Sequence, residues 1–414
     1  MNAEIIAIGS ELLTPHRWDT NSLFLTAQLN QIGVDVVFKT VAGDDRSRLT
    51  ETIALAWKRS DIVITIGGLG PTEDDVTREC VAAALGKRLQ RDDSIAKRLA
   101  SRFRSRGMMM PEINLRQAMV FEGAIVLPNQ KGTAPGLWIE EKGKILILLP
   151  GPPRELHPMF QTDCIPRLEK LLPPSAIRTR VLRLTGLTES AADEMIAPVY
   201  TKYANPVTTI LASLGEIQVH LKSTGADEAQ AMALLDEVSP QLEKILRDYV
   251  FSNTGESLEE VAGKALRANG GTMATAESCT GGLLAQRITS VPGSSAYFLG
   301  GMVCYSNTIK KEWVGVAEKV LKDHGAVSAA VASALAEGVR RLAGSTFGVG
   351  ITGIAGPDGG SAEKPVGLVY LAVAEAHGTQ VLEKRYLGDR DTIRWQASQT
   401  ALDMLRRALM RSVN

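Results

Sequence analysis

The chain is poor in cysteine, and the few it has follow no structural pattern. Among 414 residues there are four, Cys80, Cys164, Cys279 and Cys304. They make no Cys-x-x-Cys pair and no spacing suited to zinc, which argues against a disulfide framework and for a reducing compartment. Charge of one sign is also lacking. Lys plus Arg and Asp plus Glu stand at 46 each, so net charge gives no long-range attraction to nucleic acid or to an anionic membrane. The densest basic stretch, Lys97 and Arg98 with Arg102, Arg104 and Arg106, reads as a solvated helix face. No apolar run approaches the length of a membrane span. The opening Asn2-Ala3-Glu4-Ile5-Ile6-Ala7-Ile8-Gly9 is already a strand pattern and lacks the basic and apolar regions of a signal peptide. There is no internal repeat and no stretch of low complexity. These absences point to a cytoplasmic protein with neither a membrane nor a nucleic-acid partner.

The chain is longer than one hydrophobic core usually serves, and an apolar content of 44% lets each of two or three domains build its own core. Over the first 170 or so residues strands and helices alternate. Glu4 to Ile8, Asp35 to Val41 and Asp61 to Ile66 read as strands, and Asn21 to Ile32, Ser47 to Lys58 and Val76 to Leu85 as helices. Ile145 to Leu149 is a later strand entering the turn Pro150-Gly151-Pro152-Pro153. Such alternation predicts a doubly wound, mostly parallel sheet with ligands beyond the strands' carboxyl ends. Pro173-Pro174-Ser175 reads as a linker, and a βαββα pattern follows to about Ser252. It carries no G-x-x-G loop, so RNA binding is not inferred and a spacer or dimer contact is expected.

Two loops carry candidate chemistry. After Ile66 comes Gly67-Gly68-Leu69-Gly70-Pro71-Thr72, then Asp74 and Asp75. Successive glycines let backbone N–H groups converge on a phosphate, and the aspartates suit a hard divalent cation. It is not a Walker loop, and on the residues alone Gly70-Pro71 is equally a plain turn with the aspartates at the first turn of a helix. The second loop is Ala276-Glu277-Ser278-Cys279-Thr280-Gly281-Gly282, answered downstream by Tyr305-Ser306-Asn307-Thr308-Ile309-Lys310. With a strand at Thr272 to Thr275 and a helix from Leu283, Ser278 to Gly282 lie at a helix N-terminus, whose amides can stabilise an oxyanion or hold a phosphate. Serine needs a base to become a nucleophile, and a desolvated lysine serves when burial lowers its pKa. The competing reading is structural: Ser278 or Thr280 caps that helix and Asn307 caps the one containing Lys310. By chemistry alone Cys279 is also a candidate nucleophile. Gly348-Val349-Gly350-Ile351-Thr352-Gly353 fits the G-x-G-x-x-G dinucleotide pattern, but the following Ile354-Ala355-Gly356-Pro357 cannot open the helix that pattern requires. It reads as a strand running into a flexible loop.

The second half resembles the C-terminal domain of the CinA family (competence/damage-inducible protein A). The likeness rests on Ala276 to Gly282, Pro292-Gly293-Ser294-Ser295, Tyr305 with Lys310, Gly325 to Ser328, Thr352 to Pro357, Lys364 to Gly367 and Gly388-Asp389-Arg390. The first half is similar to the CinA N-terminal domain over Gly9 to Leu13, Asp19-Thr20-Asn21, Thr65 to Asp75, Gly132 to Gly136 and Pro150 to Pro153, with Pro15 where the family commonly has glycine. The resemblance implies an α/β protein of three domains: a MoaB/MogA-like parallel-sheet domain over 1–172, a small KH-like α+β linker domain over 173–252, and a deamidase domain over 253–414.

It further implies a nicotinamide mononucleotide deamidase, releasing nicotinic acid mononucleotide and ammonia, in pyridine nucleotide salvage. The family's Ser/Tyr/Lys set falls on Ser278, Tyr305 and Lys310, with Tyr305 relaying or positioning the proton. Substrate contacts are expected from Thr280, Gly281, Gly282, Thr352, Gly353, Ala355, Gly356 and Arg390, and no cofactor is needed for this half. For the N-terminal domain the resemblance implies ADP-ribose pyrophosphatase activity. Phosphate would bind at Gly67, Gly68, Gly70 and Thr72, and a divalent ion (magnesium, manganese or cobalt) at Asp74, Asp75 and Glu155. The alternatives are that this domain only binds a pterin or nucleotide, or that the protein is an interaction factor in competence or DNA damage. A homodimer is the default assembly.

Overall fold

A computed structural model describes residues 1–105 and 107–411. By packing, the chain divides into two compact units. One comprises Met1–Arg178 with Ser223–Leu234, the other Thr179–Lys222 with the chain from Leu235 onward.

The first unit is built on a six-stranded sheet in the order Asp35–Ala42, Asn2–Ile8, Ile62–Ile66, Lys144–Leu149, Gly136–Glu141, Ile125–Leu127. The first four strands are mutually parallel and the last two antiparallel. Apolar residues run almost without interruption along the central strands because helices cover both faces. Ile5, Ile64 and Ile147 pack with Leu25, Leu29 and Phe160 on one side. Ile6, Val63 and Leu146 pack with Leu49 and Ile53 on the other. Three loops leave the carboxyl ends of adjacent parallel strands, at Gly9, Gly67 and Pro150, which is where a doubly wound sheet places its ligands. Beyond Pro150 the expected turn gives way at Pro153 to a helix, Pro153–Met159, with proline at its tolerated first position. Lys97, Arg98 and Arg104 lie exposed on the helix Asp93–Arg104 as expected of a solvated face, whereas Arg102 donates to the Gly132 carbonyl. Arg106 lies outside the described residues.

The middle of the chain forms a four-stranded sheet in the order Val207–Ser213, Glu216–Gly225, Ala176–Leu184, Val250–Ser252, with the helices Glu189–Tyr200 and Glu228–Leu246. Its last strand was not legible in the βαββα pattern.

The C-terminal sheet has the order Phe298–Val303, Met273–Glu277, Phe347–Gly353, Leu368–Glu375, Gly378–Arg385. Its first three strands are parallel and its last two antiparallel. On one face lie the helix Leu258–Ala268, started by a Ser257/Glu260 capping box, and the long helix Arg390–Arg411. On the other lies Ala329–Ala343. That helix explains the dinucleotide-like glycines. A Cβ on Gly348 would stand 2.1 Å from the Ala336 carbonyl oxygen and one on Gly350 2.4 Å from that of Ala332, so these glycines admit a helix, not a nucleotide. Among the described residues no helix is long and apolar enough to cross a membrane.

Candidate active sites

The strand Met273–Glu277 is buried along its whole length between two parallel neighbours, and Ser278 stands at its carboxyl end. The Ser278 amide donates to the Ile351 carbonyl at 2.9 Å, which continues the sheet by one rung and fixes the nucleophile's backbone. The chain then turns through Gly281 at φ 61° and Gly282 at φ 91°, left-handed conformations that glycine enters without steric cost. Glu277, 1% exposed, locks the turn from beneath. Its carboxylate accepts from the amides of Gly282 at 3.1 Å, Leu284 at 3.0 Å and Ala285 at 2.8 Å.

This arrangement corrects two expectations. The first amides of the helix Leu283–Thr289 are spent on Glu277 and do not point to a ligand. Neither Ser278 nor Thr280 caps that helix, whose N-cap is Gly282 with no side-chain hydrogen bond. Nor does Asn307 cap the helix Asn307–Val314; Ser306 does, accepting from the Ile309 amide at 3.2 Å. That cap sets the helix so that Lys310, one turn in, points under the nucleophile loop.

Lys310 is 2% exposed. Its Nζ donates to Ser278 Oγ at 3.1 Å and to the Tyr305 carbonyl at 2.9 Å. Burial disfavours the ammonium and pushes its pKa below the usual lysine value. Burial acts oppositely on the neighbouring thiol, pushing Cys279 up to about 12, which removes it as a nucleophile near neutral pH. Of the two, only Ser278 has its side chain on the buried lysine.

Tyr305 does not occupy the relay position expected of it. Its side chain is 60% exposed and its hydroxyl accepts from Arg390 Nη2 at 3.1 Å. Only its backbone carbonyl meets Lys310. Arg390 also donates to the Gly356 carbonyl at 2.7 Å, so Tyr305, Arg390 and Gly356 form one connected rim. Thr352 is buried and donates to the Ala326 carbonyl at 2.7 Å, bracing a loop. A Cβ on Gly353 would meet the Leu368 carbonyl oxygen at 2.7 Å, and Ala355 is 4% exposed; both read as packing. The Thr280 hydroxyl is fully buried and has no hydrogen-bond partner, which is costly unless a ligand completes it. Sequence reasoning missed Arg394, which donates to the Thr280 carbonyl at 2.9 and 3.3 Å. Its one available signal was its place a single turn beyond Arg390.

In the first unit, loops from Gly9, Gly67 and Pro150 surround a cavity of about 360 Å³. Gly67 at φ 96° and Gly68 at φ 66° lie close to Ile8 and Thr77, where Cβ atoms would stand 2.5 and 2.1 Å from oxygen. Gly70 lines the cavity too. Thr72 does not line it; its hydroxyl is turned onto Asp74 and Asp75 and its amide donates to Asp75 at 2.9 Å. The Thr72 hydrogen bond holds the Asp74 carboxyl below the usual range.

Glu155 faces the same cavity and accepts from Asn129 Nδ2 at 2.8 Å. The set Asp74, Asp75, Glu155 does not converge as a cage. Among the described residues no group of three or more His, Cys, Asp or Glu side chains gathers to hold a metal ion. With Glu11 and Asp44, five carboxylates line the cavity, a charge that repels a bare phosphate. Such a wall fits a hard cation that reaches the protein shared with a ligand's phosphates, held by one or two carboxylates.

Three protein-family models match the chain: "Probable molybdopterin binding domain" over residues 4–170, "Damage-inducible protein CinA KH domain" over 179–252 and "CinA C-terminal domain" over 255–409. A CinA-like protein of Solibacter usitatus is 52% identical over 99% of this chain and 98% of its own length. One of Koribacter versatilis is 53% identical over 99% and 100%. Among solved structures, the competence/damage inducible protein CihA of Agrobacterium tumefaciens is 43% identical over 38% of this chain and all but 1% of its own, with a TM-score of 0.36. With relatives of this identity along their whole length, and a probable molybdopterin-binding domain, a CinA KH domain and a CinA C-terminal domain matched in succession, the chain belongs to the CinA family.

Proposed function

We propose that the C-terminal domain is an amidohydrolase acting on nicotinamide mononucleotide in pyridine nucleotide salvage in the cytoplasm. The observation that carries this is the 3.1 Å contact between Ser278 Oγ and the buried Lys310 Nζ, with the lysine's charged form disfavoured. A neutral Lys310 accepts the Ser278 proton as Oγ attacks the carboxamide carbon. The tetrahedral intermediate collapses as Lys310 returns the proton to nitrogen and ammonia leaves. Water, deprotonated by the same lysine, then attacks the ester carbon, and Lys310 returns that proton to Ser278 Oγ as the ester bond breaks, so that substrate and water give nicotinic acid mononucleotide and ammonia. Because Glu277 takes the helix amides, the developing oxyanion is left to donors other than the helix N-terminus. Tyr305 acts through its carbonyl, which orients Lys310, and its hydroxyl belongs with Arg390 to the substrate rim. Free and buried, the four cysteines suit a reducing compartment.

The test is product analysis. Purified protein should release ammonia and nicotinic acid mononucleotide, and Ser278→Ala should release neither. Full activity in Ser278→Ala removes the covalent route.

A second reading concerns the first unit and rests on its carboxylate-lined cavity beside the glycine loop. There we infer a pyrophosphatase for ADP-ribose that works with an added divalent ion, which would neutralise the phosphates and polarise them for attack by water. Binding of ADP-ribose without turnover in the presence of magnesium, manganese or cobalt would make this unit a binding module.

A further inference from the structure

The middle sheet touches the C-terminal domain at a hairpin tip, and the contact leads to the nucleophile. Strands Val207–Ser213 and Glu216–Gly225 are joined by Leu214-Gly215, with Ser213 paired to Glu216. The Leu214 carbonyl accepts from the indole N–H of Trp395 at 2.9 Å. Gly215, at φ 72°, lies so close to the long C-terminal helix that a Cβ there would stand 3.1 Å from Gln399 Cγ. Its carbonyl in turn accepts from Thr185 Oγ1 at 3.0 Å, which ties the tip back to its own sheet. Beside this point contact a crevice of about 580 Å³ opens between Arg183 and Glu216 on one side and Trp395 and Gln399 on the other. The tip is one of two places where this sheet meets the helix; at the other the Val250 and Asp248 carbonyls accept from Arg406 and Arg407.

From Trp395 two connections run to the loop that carries Ser278. The guanidinium of Arg287, 4% exposed, stacks 4.3 Å from the Trp395 ring centroid. It also donates to Ser398 Oγ at 2.8 Å, Gln399 Oε1 at 2.6 Å and Glu259 at 2.9 Å. Arg287 sits on the helix Leu283–Thr289 that leaves the nucleophile loop, so its anchorage sets one end of that loop. The other connection is Arg394, the residue before Trp395, which holds the Thr280 carbonyl two residues beyond Ser278. One turn earlier Arg390 holds Gly356 and Tyr305. The helix turn on which the hairpin rests is therefore the turn that grips the loop.

We propose that Trp395 is a positioning residue for Ser278, through which the Leu214-Gly215 tip of the middle domain sets the register of the nucleophile loop against Lys310. The middle domain is then part of the active-site scaffold and more than a spacer. The inference rests on the deamidase reading for its natural readout. Its physical basis is that a nucleophile displaced by about 1 Å loses on the order of 10²-fold in rate although no substrate contact has changed.

Two variants of the full-length protein test it, each measured for ammonia release from nicotinamide mononucleotide and for the rate at which a fluorophosphonate probe modifies Ser278. Trp395→Phe keeps the ring over Arg287 and removes only the donor to Leu214; Trp395→Ala removes both. The expected result is a kcat lower by about 3- to 10-fold for the first and about 10- to 10²-fold for the second, with KM within about twofold and probe reactivity falling in the same order. An unchanged kcat and probe rate in folded Trp395→Ala overturns the proposal, as does a raised KM at unchanged kcat, which would place Trp395 against the substrate. Should the alanine variant not fold, an unchanged kcat in Trp395→Phe overturns it alone. A wild-type protein that reacts with the probe but releases no ammonia refutes the deamidase reading while leaving the positioning test to the probe rate. One that reacts with neither refutes both.

Discussion

The two glycine-rich loops of this chain share a plan and differ in what they do with charge. Each leaves the carboxyl end of a buried parallel strand and enters a helix, and each is followed or preceded by acidic residues. In the first, the carboxylates of Asp74 and Asp75 stay at the rim of a cavity, satisfied by Thr72. In the second, Glu277 is buried and takes the helix amides for itself. The consequence is a division of labour that glycine content alone does not reveal. An acidic rim leaves its carboxylates open to the cavity, whereas an internal carboxylate stiffens a turn so that one serine can meet one buried lysine. Stiffness is what covalent catalysis needs, since reacting atoms must be held at about 3–3.5 Å.

The sharpest way to break the contrast is at Lys310. Lys310→Arg keeps the positive charge but cannot accept a proton near neutrality, so kcat should fall about 10²- to 10⁴-fold. A variant retaining more than about a tenth of the rate would show that the lysine serves as a charge and not as a base. Lys310→Met should be as inactive yet more heat-stable than the parent near pH 7. Because burial lowers the folded-state pKa of Lys310 below the ordinary 10.5, the protonated lysine opposes folding at every pH below that folded value. The handicap shrinks as pH rises through the folded pKa toward 10.5. The difference in melting temperature between Lys310→Met and the parent should close over that window, and kcat/KM of the parent should climb as pH rises through the folded pKa and level off above it. A gap in melting temperature that widens with pH would contradict the assignment.

Glu277→Gln probes the stiffening directly. The amide keeps one acceptor and turns an NH₂ toward helix N–H groups, leaving buried donors unpaired at about 1–3 kcal/mol. The expected outcome is a lower melting temperature together with a kcat loss of about tenfold, smaller than at Lys310 because the base survives. Normal kcat with reduced stability would mean that the loop holds its shape without the carboxylate.

Much of this was legible in the sequence because periodicity and turn residues act locally. The strands ending at Ile8, Ile66 and Leu149, both loops and the helix bearing Lys310 follow from patterns a few residues long. What escaped depends on contacts between distant parts of the chain. Tyr305 lies near Lys310 in sequence, and only the fold shows that its hydroxyl goes to Arg390, eighty-five residues on. Arg394 and Trp395 carry no local signature, because their partners at Thr280 and Leu214 are 114 and 181 residues away. That Asp74, Asp75 and Glu155 do not gather into one cluster has a related reason. Proximity in sequence brings Asp74 beside Asp75, but Thr72 orients both, and Glu155 arrives from another strand's loop with its own partner, Asn129.

The smallest expected effect is the most direct check that the two loops act independently. Thr72→Val removes the hydroxyl whose hydrogen bond is the main reason the Asp74 carboxyl sits below its ordinary value, so the carboxyl should titrate closer to the usual carboxylate range, visible as a shifted side-chain resonance in an NMR pH series. The position is exposed, and a surface change of this kind alters stability by no more than about 0.5 kcal/mol. Deamidation should stay within about twofold of the parent, because Ser278 and Lys310 belong to the other compact unit. ADP-ribose turnover with added metal, in contrast, should respond, since Asp74 and Asp75 lose the group that orients them. A Thr72→Val protein whose ammonia release falls more than a few-fold while its fold is intact would mean that the acidic rim and the buried nucleophile are coupled, and the contrast between them would have to be redrawn as one of two parts of a single device.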